Sequence, residues 1–254
     1  MSRTPALFIA HGNPMFAIVD SEYTRAWREV GKSLSPTAIV CISAHWLTRG
    51  VRIMANEVPR IIYDFGGFPD ELYQVQYPAK GSPALARKLN ALLPGSTLDE
   101  SWGLDHGSWA VLKRMFPDAD VPVIQLSLDV NLNAKAHYEL AKALKPLRDE
   151  GVLILGSGNI VHNLRMADFT NRTPVYNWAN EFDSVAKDAI LQHDHEKLIS
   201  YELLGQAAHL SVPTPDHYWP LLYTLAVQDS EDAVTFPTEG MDLSSISMRS
   251  VRLG

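Results

Sequence analysis

The chain holds 254 residues, 46% of them hydrophobic and 20% charged, which suits one α/β domain with a sizeable core, or at most two small domains. A net charge of -7 argues against a nucleic-acid or anionic-membrane partner, because binding phosphate needs a basic surface. One cysteine, Cys41, excludes an internal disulfide, and no apolar run approaches the length of a membrane span, so a cytoplasmic protein with no membrane partner is expected.

In chain order, Ala6 to Ala10 reads as a first strand running into His11-Gly12-Asn13-Pro14. That apolar start is too short for a signal-peptide core. Ser21 caps a helix over 22–34, with Tyr23, Trp27 and Val30 on one face. Ala38 to Trp46 is short, β-branched and apolar until it stops at His45, the pattern of a buried strand. Residues 49–54 alternate Val51 and Ile53 with Arg49 and Arg52 as a neighbouring strand. Residues 55–81 carry aromatics, Gly and Pro without period, including Tyr63, Phe65, Phe68, Tyr73 and Tyr77, and read as a pocket wall or lid.

Pro83 opens a helix to about Leu93, and a Gly- and Trp-rich turn over 102–109 leads into another ending near Phe116. A strand over 121–128 and a helix over 133–149 follow, with Pro146 straining the last turn. The strand Val152 to Leu155 runs into Gly156-Ser157-Gly158-Asn159, with His162 four residues after Gly158; the glycines imply close backbone approach. Helices are expected over 177–192 and 196–204, then one capped by Thr214 and opened by Pro215 and Asp216. Short strands over 234–236 and 247–253 finish a mixed, mostly parallel sheet flanked by helices, one domain over 1–254.

Three strands therefore end in histidine-bearing turns, at His11, His45 and His162, and His217 opens a helix on the expected same side. In an open α/β sheet, ligands bind beyond the carboxyl ends of the strands. Four imidazoles gathered there would suit zinc or non-haem iron. The spacing has no HExxH or CxxC form. His137, His193 and His195 read as surface residues, His209 is open, and Cys41 is a small core hydrophobe. Ser157 lacks the G-x-S-x-G elbow, no P-loop is present, and no carboxylate pair stands out for glycosidase chemistry.

Six motifs, in order, are His11-Gly12-Asn13-Pro14, Ser43-Ala44-His45-Trp46, Tyr63-Asp64-Phe65-Gly66-Gly67-Phe68-Pro69, Leu104-Asp105-His106-Gly107, Gly156-Ser157-Gly158-Asn159 with His162-Asn163, and Pro215-Asp216-His217-Tyr218. Together they resemble the DOPA-dioxygenase branch of the class III extradiol ring-cleavage dioxygenases, over nearly the whole chain. Asn13 departs from the serine or alanine common there. The resemblance implies an enzyme that opens a catechol such as DOPA with O₂, giving a semialdehyde. Its partners would be a small aromatic diol and O₂, in a monomer or small homo-oligomer.

It implies His11, His45 and His217 as ligands of Fe(II), with Asp216 a rival to His217, and allows Zn(II) in the same site. His162 matches an acid-base histidine close enough to coordinate as well. His106 matches a pocket histidine near oxygen and substrate. Trp46, Tyr63, Phe65 and Phe68 are candidates to pack against the ring. A second reading uses the same histidines with zinc to activate water in a hydrolase.

Overall fold

The strands come from segments that are apolar at nearly every position, as a sheet covered on both faces requires. The computed structural model describes residues 3–170 and 172–254. In chain order the elements are β1 (Ala6–Ala10), α1 (Glu22–Lys32), β2 (Ala38–Thr48), β3 (Arg52–Met54), α2 (Asp70–Tyr73), α3 (Pro83–Leu92), β4 (Thr97–Asp99), α4 (His106–Met115), β5 (Val123–Asp129), α5 (Ala134–Ala141) and β6 (Val152–Gly158). Then come α6 (Asn177–Leu191), α7 (His195–Ile199), α8 (Gln206–Ser211), α9 (Trp219–Ala226), β7 (Val234–Thr235), β8 (Met241–Asp242), β9 (Ile246–Ser247) and β10 (Val251–Leu253).

Eight strands form one sheet in the order β4-β3-β5-β2-β6-β1-β10-β7, and β8 and β9 pair as a separate ribbon. Its centre, β5-β2-β6-β1, is parallel, while β3 with β5 and β10 with β1 and β7 are antiparallel. The single α/β domain with a mixed, mostly parallel sheet is as expected.

Side chains alternate across the sheet with period two. Phe8, Val40, Ile42 and Ile154 enter the core beneath α5, α6 and α9. Leu7, Ile9, Ile39, Cys41 and Leu155 enter the opposite core with α1 and α4. Cys41 is fully buried, as its place in the run implied. Helix α1 begins where Ser21 and Thr24 bond each other's backbone N–H in a capping box, and it buries Trp27 and Val30.

Several boundaries move. Strand β2 does not stop at His45 but continues to Thr48, because its register against β5 breaks between Ile42 and Leu47 and then resumes. Five residues of β2 span what two residues of β5 span, so the extra chain bulges and re-aims its side chains. The helix over 133–149 is α-helical only to Ala141, then 3-10 from Lys142 to Glu150 around Pro146, which has no N–H to give. No helix starts at Pro215; the chain turns there, and α9 begins at Trp219. Edge strand β4 was not expected.

Candidate active site

The carboxyl ends of β1, β2 and β6 are neighbours, and each delivers one part of the site. His11 follows β1 directly, its N–H bonding Gly158 O of β6 at 3.1 Å. His45 sits in the bulge of β2, just past the last β2–β6 pair, Ser43 with Ser157. His217 arrives from the turn before α9, which crosses over β6. A Cβ at Gly158 would lie 2.1 Å from His217 O, and one at Gly156 2.4 Å from Pro220 O, so only glycine lets this turn come so near. Asn159 N–H then ties to His217 O at 2.9 Å. The glycines that implied close backbone approach thus seat His217.

The ligand atoms of His11, His45 and His217 lie within 4.8 Å of one another. His11 Nε2 and His45 Nε2 are 3.2 Å apart. Each Nδ1 has an oxygen beside it: Ser157 Oγ at 3.0 Å from His11, Asp64 Oδ2 at 3.4 Å from His45, and Asp216 Oδ2 at 2.5 Å from His217. Such partners set the tautomer and ring direction and leave Nε2 to coordinate. Asp216 therefore holds His217 by its far nitrogen rather than standing in its place.

Burial pushes all three imidazoles down, and neighbouring histidines push them further: His45 lies at about 3, and His11 and His217 well below the ordinary value. Neutral rings with free Nε2 lone pairs are the form a metal takes up, so the donor set fits a non-haem metal site.

His162 stacks on His217 with centroids 3.5 Å apart and planes at 5°, but it is not part of the three-histidine cluster. Burial brings it down to about 4, with Asp216 pulling it back up and His106 pressing it lower. His106 opens α4, its ring 4.0 Å from that of His45. Asp64 serves both: Oδ1 accepts the His106 N–H at 2.9 Å, and Oδ2 is 3.0 Å from His106 Nδ1. Burial raises the Asp64 carboxyl, but the His106 contacts outweigh it and hold it low.

Asp105 caps α4 and accepts from Ser43 Oγ at 2.6 Å and Gln125 Nε2 at 2.5 Å, locking α4 to the bulge. Burial, then repulsion from Asp64, raises Asp105 to about 6 against those bonds. A Cβ at Gly107 would lie 2.5 Å from Ser43 Oγ and 2.8 Å from His45 Cδ2, so glycine is needed for this approach. All five histidines face one cavity of about 490 Å³, walled by Phe65, Phe68, Leu243 and Ile246 and opening past Leu164 and Phe169.

Residues 5–254 match the family described as the catalytic LigB subunit of aromatic ring-opening dioxygenase. The chain belongs to that family. It is 47% identical to the 4,5-DOPA dioxygenase extradiol of Escherichia coli (strain K12), over 100% of this chain and 96% of that one. A Beta vulgaris protein of the same name is 43% identical over 84% of this chain and 83% of its own. The crystal structure of an uncharacterized protein from Escherichia coli K12 superposes with a TM-score of 0.86 at 44% identity, covering 99% of this chain and 100% of that one. An extradiol ring-opening dioxygenase is therefore what this chain is, and the hydrolase reading is not favoured.

Within this dioxygenase, Phe65 and Phe68 line the cavity, whereas Trp46 and Tyr63 do not. Trp46 is 3% exposed and stacks on Trp102 at 5.5 Å, because strand alternation turns it away from His45. Tyr63 donates its hydroxyl to Val75 O at 2.7 Å and backs the edge of Phe65. His137 is no surface residue: it is fully buried between α5 and α9. His195 is half-buried, bonded to Tyr138 and Gln228, while His193 and His209 are exposed. Asp64, Asp105 and Ser157 had no role assigned in the sequence. Asp64 inside the aromatic motif and Asp105 beside His106 were the available signals, but partners so far apart in sequence cannot be paired from spacing.

Proposed function

We propose that the enzyme opens the ring of a catechol such as DOPA with O₂ at Fe(II) held by His11, His45 and His217, yielding a semialdehyde. Convergence of three neutral imidazoles, those of His11 and His217 buried and that of His45 half-buried, on an aromatic-lined cavity carries this reading. When bound, Fe(II) supplies open coordination for both substrates and electron exchange with oxygen, whereas zinc in the same nitrogens supplies only the first.

The protein's own share is positioning and proton transfer. Phe65, Phe68 and Ile246 offer an apolar slot for a flat ring. His162, unprotonated near neutral pH, would accept a proton from a catechol hydroxyl as substrate binds and hold it for return to the product. His106, beside Asp64, lines the same cavity and lends a polar contact to oxygen or the ring hydroxyls. The relatives named 4,5-DOPA dioxygenase extradiol support this substrate class. Among the described residues no helix is long and apolar enough to cross a membrane, and a cytoplasmic setting belongs to the same proposal.

Anaerobic loading with Fe(II), followed by air and a catechol panel, should give O₂ uptake and a yellow semialdehyde. Zinc-loaded protein should give neither. No uptake from the iron-loaded protein across the panel would sink the reading.

A further inference from the structure

The cavity carries charge of one sign. Asp64 and Asp242 line it, and no Lys or Arg does. Asp64 is occupied by His106 and His45. Asp242 stands apart, on the β8–β9 ribbon directly opposite Ile246, and Ile246 bridges to His162. Two ladder spacings, roughly 10 Å between Cα atoms, therefore separate Asp242 from the proton-handling histidine. A catechol with its hydroxyls at the histidines and its ring between Phe65 and Ile246 would send a side chain toward this carboxylate.

Among the described residues no cationic group pairs with Asp242. Burial raises its carboxyl, and only the Leu243 N–H draws it back. The titratable neighbour it affects is the Tyr23 phenol, raised by its own burial, then by Glu22 and Asp242. A half-buried carboxylate without a protein counter-ion, in a cavity built for a flat ring, is complementary to a cation on the ligand. A ligand carboxylate would instead face two like charges with no basic side chain to receive it.

We propose that Asp242 is the subsite for a side-chain ammonium, so the preferred substrates are catechols carrying a cationic amine, and those carrying only a carboxylate are rejected. This rests on the ring-opening reading above. A substrate bearing both groups places its ammonium at Asp242 and its carboxylate at the mouth, where Leu164 and Phe169 are 56% and 66% exposed.

The test uses iron-loaded enzyme and four catechols: dopamine, DOPA, 3-(3,4-dihydroxyphenyl)propionate and 4-methylcatechol. Initial O₂-uptake rates should give dopamine the highest kcat/KM and the propionate the lowest, with the neutral catechol between them. D242N should raise KM for dopamine by roughly tenfold, the effect of losing one charge-assisted contact, and leave 4-methylcatechol unchanged. D242K should reverse the order of dopamine and the propionate.

The unchanged rate with 4-methylcatechol separates loss of the subsite from loss of fold. Anaerobic calorimetry of the same compounds reads the preference as binding, independently of turnover. If no catechol is opened yet D242N removes the binding preference for dopamine, the ring-opening reading fails and the subsite stands. If catechols are opened but D242N leaves the dopamine to 4-methylcatechol ratio unaltered, the subsite is wrong and ring opening stands.

Discussion

Two regions of this molecule bury histidine, and only one of them is built for chemistry. Between α5 and α9, His137 is fully buried, its Nδ1 2.9 Å from Tyr223 Oη and its ring 4.4 Å from that of Trp219. Burial lowers it to about 4, against the pull of Asp129. At the carboxyl edge of the sheet, burial lowers His11, His45, His162 and His217 as well, but there the further causes include other imidazoles. Burial with a lowered pKa is thus common to both regions. Crowding of like bases, with no cation among the described residues to share their lone pairs, marks the strand ends, and it is the feature that asks for a metal.

The sharpest way to break this comparison is to delete one histidine from each region. His45→Ala should abolish both metal retention and O₂ uptake while leaving far-UV circular dichroism unchanged; His137→Ala should keep metal and turnover and lose stability. Metal analysis of both proteins after anaerobic purification decides it, and metal retained by His45→Ala would overturn the ligand assignment.

Within the edge cluster, His162 should behave differently from its neighbours. His162→Ala is expected to lower kcat by roughly a hundred- to ten-thousand-fold with iron content intact. Loss of the metal instead would make His162 a ligand. A smaller effect is expected from Asp64→Asn, which weakens the carboxylate shared by His45 and His106. About 10- to 100-fold in metal affinity is the expected loss, read by competition with a chelator.

The smallest effect belongs to the α5–α9 interface and concerns pH. His137 has a folded pKa near 4, below its unfolded value of 6.5, so its contribution is complete above pH 6.5 and is lost as pH falls toward 4. The loss amounts to about 3 kcal/mol over that window. His137→Phe should cost about 1–3 kcal/mol at pH 7, because Tyr223 Oη loses its partner. It should also remove this part of the acid sensitivity, so the stability gap to the natural protein narrows between pH 6.5 and 4. Denaturant unfolding at both pH values reads the difference. A gap that stays constant would show that His137 is not held neutral by the fold.

Much of the architecture is determined by local pattern. The apolar runs over 6–10, 38–42 and 152–155 were legible as buried strands because so few polar groups interrupt them, and Ser21 caps α1 where its hydroxyl implies. The motifs around His11, His45 and His217 likewise marked the histidines that converge. Their number and order in the chain were enough to name the family before any coordinates.

Tertiary structure decided the rest. Periodicity cannot foresee a bulge that arises from register between two strands 80 residues apart, so the continuation of β2 past His45 and the inward turn of Trp46 away from the cavity were both hidden. His137 looked like a surface residue because its burial depends on α9, which arrives more than 80 residues later. Asp64 and Ser157 became meaningful only when each came to rest beside the far nitrogen of a different histidine, while Asp216, read as a rival ligand, contacts the far nitrogen of His217. Residue type determines which atoms can donate a lone pair or a proton. Which of them meet, and at what distance, is a property of long-range packing that no local stretch of sequence contains.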